Sequence, residues 1–279
     1  MRYDASSGFQ TRSAAAIGSR SSWARAWRYS GVLLVMLLLL AWEASVRGGW
    51  IVSANWPALS SVLDALVDGF RTGEWYAVFG ISLYRMAAGY SVGCAIAVTV
   101  GVCLALSIHA RRVLLPAIEL LRPIPIPALI PPLVFLLGVD DALKIFIIAF
   151  AAFFPVFTNT VAGVHAVDPV HLQVARTFQV PRWRSALRIQ VPSALPYILA
   201  GMRVSLGLAL IVTVVAEMIA GSDGVGYFVV SMQYAMRAGD MYAAVILLSA
   251  LGYLLNRGFL GAEATLIRWA RQHEHRSGE

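Results

Sequence analysis

The stretch His171–Pro196 reads HLQVARTFQVPRWRSALRIQVPSALP, and its contrast with its surroundings decides how the chain folds. It carries four arginines and three prolines, yet the segments on both sides of it are almost wholly apolar. Of the 279 residues, 59% are hydrophobic and only 13% are charged, whereas soluble domains carry about 25% charged residues. The composition therefore predicts a membrane protein, organised in spans of about 20 residues each.

The net charge of +7 is typical of a membrane protein whose cytoplasmic loops collect Lys and Arg. No aromatic-basic or zinc-finger motif accompanies it, so we expect no nucleic-acid partner. Cys94 and Cys103 are separated by about 13 Å of rise on one helix, too far for a disulfide. His273 and His275 lie in a polar tail without an HExxH motif, and we expect no metal site.

Six spans are predicted, and five of them are clear apolar segments. Their approximate bounds are 29–46, 86–108, 142–163, 195–220 and 241–263. The first follows a polar, arginine-rich segment; it lacks an Ala-x-Ala cleavage site and more spans follow, which favours a span over a signal peptide. In the second, small residues recur at every fourth position from Gly89 to Ala105, which favours close helix packing within the bundle over a dimer face.

The remaining span is rich in proline, with six prolines between Pro116 and Pro132. An uninterrupted helix does not tolerate this density, because an interior proline loses a hydrogen bond and clashes with the preceding turn. Broken backbone survives in a bilayer only where protein or a water-filled cavity covers it. The segment is therefore a candidate lining of a path, through Pro125, Pro127 and Pro131, with a kinked structural span as the alternative.

The distribution of positive charge predicts the orientation of the chain. Fifteen Lys and Arg residues lie on the side of the two tails and the His171–Pro196 stretch, against five on the other side. Cytoplasmic loops carry this excess, so we expect both termini and the stretch in the cytoplasm. On the opposite side, SSVLDALVDGF (residues 60–70) predicts an amphipathic helix on a surface.

Within the basic stretch, two short amphipathic helices are predicted. Asp168 followed by Pro169 is typical of a helix start, and Val170, Val174 and Phe178 then share one face.

Pro181 begins the second helix, in which Trp183 and Leu187 form an apolar stripe, and Pro192 breaks the chain before the next span. Such a pair of helices suits docking on anionic lipid, docking on a cytoplasmic partner, or a solvated loop. The residues alone leave these alternatives open.

Several segments, taken in order, resemble one family. SLYRMAAGYSVG, LLRPIPIPALIPPLVFLLGVDDALKIF, FFPVFTNTVAGV, the run from ARTFQVPRW to VVAEMIAG, and GVGYFVV are similar to the nitrate, sulfonate and taurine branch of binding-protein-dependent ABC importer permeases. The resemblance covers about residues 50–265. That family's cytoplasmic loop has the pattern E-A-A, three residues, G, nine residues, I-x-L-P. Here only Ala175, Ile189 and Pro192 match it, and Gln173 and Gln179 replace the glutamate and the glycine.

The resemblance implies an all-α membrane protein with the type I ABC importer permease fold, in the bacterial inner membrane. It implies a transport subunit and not an enzyme: a homodimer forms one path, receives a small anion from a periplasmic or lipid-anchored binding protein, and is driven by two cytoplasmic ATPases. ATP and Mg would reside on those ATPases, and this chain has no P-loop of its own. The remaining partners are membrane lipids.

The implied domain organisation follows the spans. It comprises a mobile cytoplasmic N-tail (1–28), the first transmembrane helix (29–46), a periplasmic amphipathic segment (47–74), the permease core (75–263) with its coupling loop (165–192), and a cytoplasmic C-tail (264–279).

By the resemblance, the coupling loop inserts into the ATPase. Its candidate residues are Gln173, Val174, Ala175, Arg176, Gln179, Pro181, Arg182, Trp183, Ile189 and Pro192. A left-handed bend at Gln179 would cost about 1 kcal/mol that glycine avoids. Arg176 and Arg182 are expected to supply contacts that the missing glutamate does not.

Two charges inside the fifth span are further candidates. Glu217 is an orienting or gating group along the path, or else a locally paired residue. Arg203 attracts an anion or extends towards the cytoplasm. An ion-coupled secondary transporter is the alternative function, although it would require paired broken helices and several buried carboxylates.

Overall fold

A computed structural model of the chain describes residues 17–53 and 55–266, and those residues form helices and connecting turns without a strand. The helices are α1 (Ile17–Arg47), α2 (Leu59–Thr72), α3 (Glu74–Leu106), α4 (Ile108–Leu121), α5 (Ile126–Leu137), α6 (Asp141–His165), α7 (Pro169–Thr177), α8 (Arg182–Ser185), α9 (Val191–Ala220), α10 (Gly224–Tyr234) and α11 (Ala238–Leu266). Residues 1–16 and 267–279 of the two predicted tails lie outside the described residues. The chain divides into two compact units, one up to Asp64 and one from Ala65 onwards.

In the first unit, the segment after α1 folds back on the end of that helix. Glu43 forms an ion pair with Arg47 at 2.5 Å and accepts hydrogen bonds from the backbone and side chain of Ser60. Trp42 donates to the carbonyl of Pro57 at 3.0 Å. The helix begins at Ile17, so residues 17–28, expected in a mobile tail, are helical.

The core of the second unit is a bundle of α3, α6 and α9. The small residues of α3 lie directly on α6, where a Cβ added to Gly93 would lie 3.0 Å from the Cα of Ala149. A Cβ on Gly101 would lie 2.9 Å from the side chain of Thr160. The stripe of small residues therefore packs within the bundle, as predicted, and does not provide a dimer face.

Within the described part of the chain, four helices are long and apolar enough to cross a membrane: α3, α6, α11 and the continuous helix Trp183–Ala220. The pair α4 and α5, bent by 100°, supplies a fifth if it counts as one span. Pro125 stands at the start of α5 after this bend, and the predicted break in the helix is confirmed. The first predicted span (29–46), which lies within α1, is not among these helices and stays a prediction.

The predicted break at Pro192 is wrong, because the chain stays helical from Trp183 to Ala220. Between α8 and α9, residues Ala186–Gln190 form a wide π-helical turn in which the Val191 amide donates to the Ala186 carbonyl. A π turn accommodates a local change of helical register. Pro192 directly follows this turn, so the change of register coincides with the residue that has no amide hydrogen to donate.

Candidate functional site

Two regions at opposite ends of the bundle hold the functional candidates. The first is the coupling loop (residues 165–192), which connects α6 to α9. Asp168 accepts a hydrogen bond from the Val170 amide at 2.8 Å, and Pro169 occupies the first position of α7. This helix start is the one the sequence predicts.

The bend between α7 and α8 is left-handed at Gln179, whose φ is 52°. The Val180 amide donates to the Ala175 carbonyl at 2.9 Å, and the Gln179 amide donates to the Arg176 carbonyl at 3.0 Å. These two bonds define a Schellman motif, which normally places glycine where Gln179 stands. The position that carries glycine in the family pattern therefore has the backbone geometry that favours glycine.

Around this bend, the loop exposes a row of large apolar side chains. Phe178 is 76% exposed and Trp183 is 61% exposed, and Val170, Val174 and Leu187 are also exposed. The guanidinium of Arg184 lies 5.0 Å from the ring centroid of Trp183. Contiguous exposed apolar side chains of this kind mark interaction surfaces.

The other candidate residues of the loop differ in burial. Gln173, Arg176 and Pro181 are exposed, Ile189 and Pro192 are half-buried, and Ala175 is buried. The side chain of Arg182 lies outside the described part of the chain. Behind the loop is a cavity of about 610 Å³ lined by ten residues: Ala105, Leu106, Leu172, Ala175, Arg176, Val180, Trp183, Ser185, Ala186 and Gln190.

The second region, at the far end of the bundle, is a charge cluster of Arg85, Asp141, Glu217 and Asp223 with the hydroxyl of Ser82. Arg85 is only 2% exposed. Its guanidinium contacts Asp141 at 2.6 Å, Glu217 at 3.0 Å and Asp223 at 2.5 Å. One arginine thus joins α3 to α6, α9 and the turn before α10, and charge-assisted hydrogen bonds of this kind are the strong ones.

Glu217 is fully buried within this cluster, at 0% exposure. Its carboxylate oxygens lie 2.8 and 2.9 Å from the Ser82 hydroxyl, and one of them accepts from the Gly226 amide at 3.1 Å. The Ser82 oxygen also accepts from the Val225 amide at 2.8 Å. Two free N–H groups at the start of α10 are therefore capped by α9 and α3, where the helix dipole also favours a negative charge.

Asp223 stands at the N-cap position of α10 but makes no capping bond to that helix. Its carboxylate is held by Arg85 instead. Gly224 has a φ of 90°, and a Cβ there would overlap the Glu217 carboxylate. Glycine is required because the chain turns directly against a buried carboxylate.

The sequence indicated Glu217 but not its partners. Arg85 is one of the five basic residues counted on the side opposite the His171–Pro196 stretch, and it precedes the predicted second span (86–108), whereas α3 begins at Glu74 and contains it. A charged residue inside an apolar helix was the available signal. In this conformation Glu217 is paired locally. Pro125, directly before α5, and Pro127 and Pro131, on α5, are exposed.

Arg203 also has a local partner. It contacts Glu263 of α11 at 2.9 Å. Among the described residues, no group of His, Cys, Asp and Glu side chains is arranged to hold a metal ion.

Comparison with known proteins agrees with the fold and the order of motifs. Over 275 residues, the chain is 29% identical to the putative aliphatic sulfonates transport permease protein SsuC of Bacillus subtilis, covering 98% of this chain and 99% of that protein. It is 30% identical over 238 residues to the taurine transport system permease protein TauC of Escherichia coli, covering 84% and 86%.

Among solved structures, an inward-facing MetNI methionine ABC transporter (CY5 native crystal form) shares the fold with a TM-score of 0.57 at 17% identity. That similarity covers 66% of this chain and 92% of the other. The predicted all-α permease fold is confirmed, and the alternative of an ion-coupled secondary transporter is not favoured. Residues 89–259, more than half of the chain, match one family profile. The chain therefore belongs to the binding-protein-dependent transport system inner membrane components, the multi-pass membrane subunits of ABC importers.

Proposed function

We propose that this chain is the permease of an ATP-driven importer for a small anion such as a sulfonate, taurine or nitrate. The names of its relatives support this substrate class: SsuC, TauC and the nitrate import permease protein NrtB of Leptolyngbya laminosa. The observation that carries the proposal is the exposed apolar face of the coupling loop, presented on the link between α6 and α9. A partner whose cleft receives this face can move α6 and α9 together.

The ATPase dimer is the partner that we assign to this face. Burying a large apolar side chain stabilises a complex by about 1.5–3 kcal/mol, and Phe178 and Trp183 are the exposed aromatic side chains of the loop. Arg176 and Arg182 border them in sequence and add contacts to acidic groups of the ATPase. We place ATP and Mg on that partner. A P-loop needs a lysine that reaches the phosphates, and the chain's single lysine, Lys144, is buried and donates to the Val139 carbonyl at 2.9 Å.

The translocation path lies between two copies of the chain, beside the bend of α4 and α5. Pro125 precedes α5 and Pro127 lies in its first turn, whereas Pro131 in its interior leaves the Pro127 carbonyl without a helical donor, and this carbonyl faces the path. Glu217 acts as an orienting group that holds the far end of α9 against α10. We further propose that the binding protein docks at this far end and that both termini lie in the cytoplasm, in accord with the excess of arginine on the side of the coupling loop.

A paired substitution tests the coupling surface. Replacing Phe178 and Trp183 by serine removes two aromatic anchors, and such anchors often contribute 2 kcal/mol or more each. We expect the permease to bind its ATPase at least about tenfold more weakly, measured by co-purification, and ATP-driven uptake into vesicles to be lost. The matched control replaces Tyr234 and Met236, exposed at the opposite end, by serine and keeps ATPase binding.

Two results would contradict the proposal. One is full ATPase association of the Phe178→Ser/Trp183→Ser protein or of an Arg176→Glu/Arg182→Glu protein. The other is uptake that persists without the ATPase and follows an ion gradient.

A further inference from the structure

A groove between α3, α4 and α6 has two chemically different parts. Its basic end is a cavity of about 200 Å³ whose lining includes Arg111, Glu119, Arg122 and Thr158. Its apolar part has a volume of about 540 Å³. Ile118 and Phe154 line both parts, so the two form one amphipathic groove.

The basic end has unused capacity for an anion. Arg111 and Arg122 are exposed, and neither has a carboxylate within ion-pair distance in the part of the chain that the structure describes. The Thr158 hydroxyl donates its proton to the Phe154 carbonyl at 2.9 Å, so the two guanidinium groups are the donors available to an anion. With Glu119 counted, the lining keeps one net positive charge, and guanidinium groups suit phosphate oxygens in paired hydrogen bonds.

The apolar part suits a hydrocarbon chain because of the side chains that line it. Its lining carries no charged side chain and includes Phe146, Phe150, Phe153 and Phe154 along α6. From Phe154 to Ala142, at the other end of this lining, α6 rises by about 18 Å. A single acyl chain, which extends over half the hydrocarbon thickness of a bilayer or about 15 Å, fills the part of this length next to the basic end.

We propose that the amphipathic groove holds one anionic phospholipid, with its phosphate at Arg111 and Arg122 and one acyl chain along the phenylalanines of α6. The charge complementarity and the order of the two parts both favour this occupant. Arg111 follows the end of α3 nearest the coupling loop, so the lipid belongs to the cytoplasmic leaflet. That leaflet assignment rests on the orientation proposed above, and basic pockets between helices on this side suit anionic headgroups.

Lipid retention by the purified full-length chain tests this assignment. The protein is exchanged into detergent with an equimolar mixture of phosphatidylglycerol and phosphatidylcholine, and bound lipid is counted by native mass spectrometry. Each basic residue near a lipid surface contributes about 1 kcal/mol, which is about fivefold. We expect Arg111→Ala/Arg122→Ala to reduce the preference for phosphatidylglycerol about thirtyfold.

The matched control is Arg112→Ala, which removes an adjacent exposed arginine outside the lining of the groove. This variant should retain phosphatidylglycerol as the unmodified chain does. An equal loss in the control, or no loss in the double variant, would overturn the proposal. No ATPase or transported substrate enters this measurement, so its failure would leave the proposed transport function untouched.

A second measurement uses the unmodified chain and does not depend on a folded variant. Phosphatidylglycerol with a photoreactive diazirine in its acyl chain should label Ile96, Phe146 or Phe150 in preference to the exposed Leu254 of α11. Equal labelling of both surfaces would contradict the proposal. So would competition by an alkanesulfonate that removes the label, because the site would then belong to the transported anion.

The groove's other conceivable occupant is a second copy of the chain. A variant that carries Ile96→Cys and lacks Cys94 and Cys103 tests for this second copy. A disulfide between the Cys residues of two copies would show that protein covers the groove. That result would replace the lipid, and its absence together with the expected labelling supports the proposal.

Discussion

The charge cluster and the coupling loop lie at opposite ends of α6 and α9 and are built in opposite ways. In the charge cluster, Arg85 and Glu217 are buried at 2% and 0% exposure, and each has partners within the same chain. In the coupling loop, Phe178 and Trp183 are mostly exposed. The charged groups at one end of the bundle are therefore paired within the chain, whereas the other end presents exposed apolar side chains.

This difference suits a subunit that transmits a movement. The far end gathers α3, α6, α9 and the start of α10 around one guanidinium, so these elements move as a body. The loop end connects only α6 and α9 and presents a surface on which force can be applied. Buried ionic clusters are weak evidence for added stability, but loss of one member leaves the others uncompensated.

The largest expected effect comes from removing the centre of the charge cluster. Arg85→Met leaves Glu217 buried without its cation and should lower the free energy of unfolding by about 3–5 kcal/mol. Thermal unfolding of the purified protein measures the change. The comparison is Arg237→Met, which breaks an exposed pair with Asp240 and should change stability by about 1 kcal/mol or less. Equal effects of the two substitutions would show that the cluster is not a structural centre.

A smaller effect is expected where the backbone approaches Glu217. A Cβ on Gly226 would lie 2.8 Å from the Met218 backbone nitrogen, so Gly226→Ala should destabilise the protein by about 1–3 kcal/mol through overpacking. Gly207 on α9 has nothing within 4 Å of an added Cβ. Gly207→Ala should leave thermal stability equal or slightly raised, and a loss of stability there would contradict the packing described.

The smallest effect concerns two bends with the same geometry, one at each end. Gln179 and Met236 have φ values of 52° and 56°, and each follows the C-terminus of a short helix. Replacing either by glycine removes about 1 kcal/mol of backbone strain. Hydrogen exchange of the next amide, Val180 or Arg237, should slow about fivefold in both variants. Slowing at Arg237 alone would show that the coupling loop keeps its bend only when the ATPase is bound.

The four long apolar spans and the helix start at Asp168 could be predicted because they depend on local composition and on residues a few positions apart. The left-handed bend at Gln179 was a conditional prediction. The family pattern has glycine at this position, but a pattern of residue types does not determine the backbone angle. The charge cluster could not be predicted. Arg85 and Glu217 are 132 positions apart, and no local pattern links them. Pro192 shows the reverse case. The rule that proline breaks a helix failed there, because a π turn directly before it accommodates the proline.

The capping of α10 by Ser82 and Glu217 has a consequence for how the chain assembles in the membrane. A helix of 11 residues is too short to be stable by itself, and its first amides depend on α3 and α9. The ribosome makes Ser82 and Arg85 before Glu217, so the hydroxyl and the cation that pair with this carboxylate are synthesised first, and its remaining partner, the Gly226 amide, follows. The order of the residues along the chain thus means that the counter-ion of the buried acid is synthesised before the acid itself.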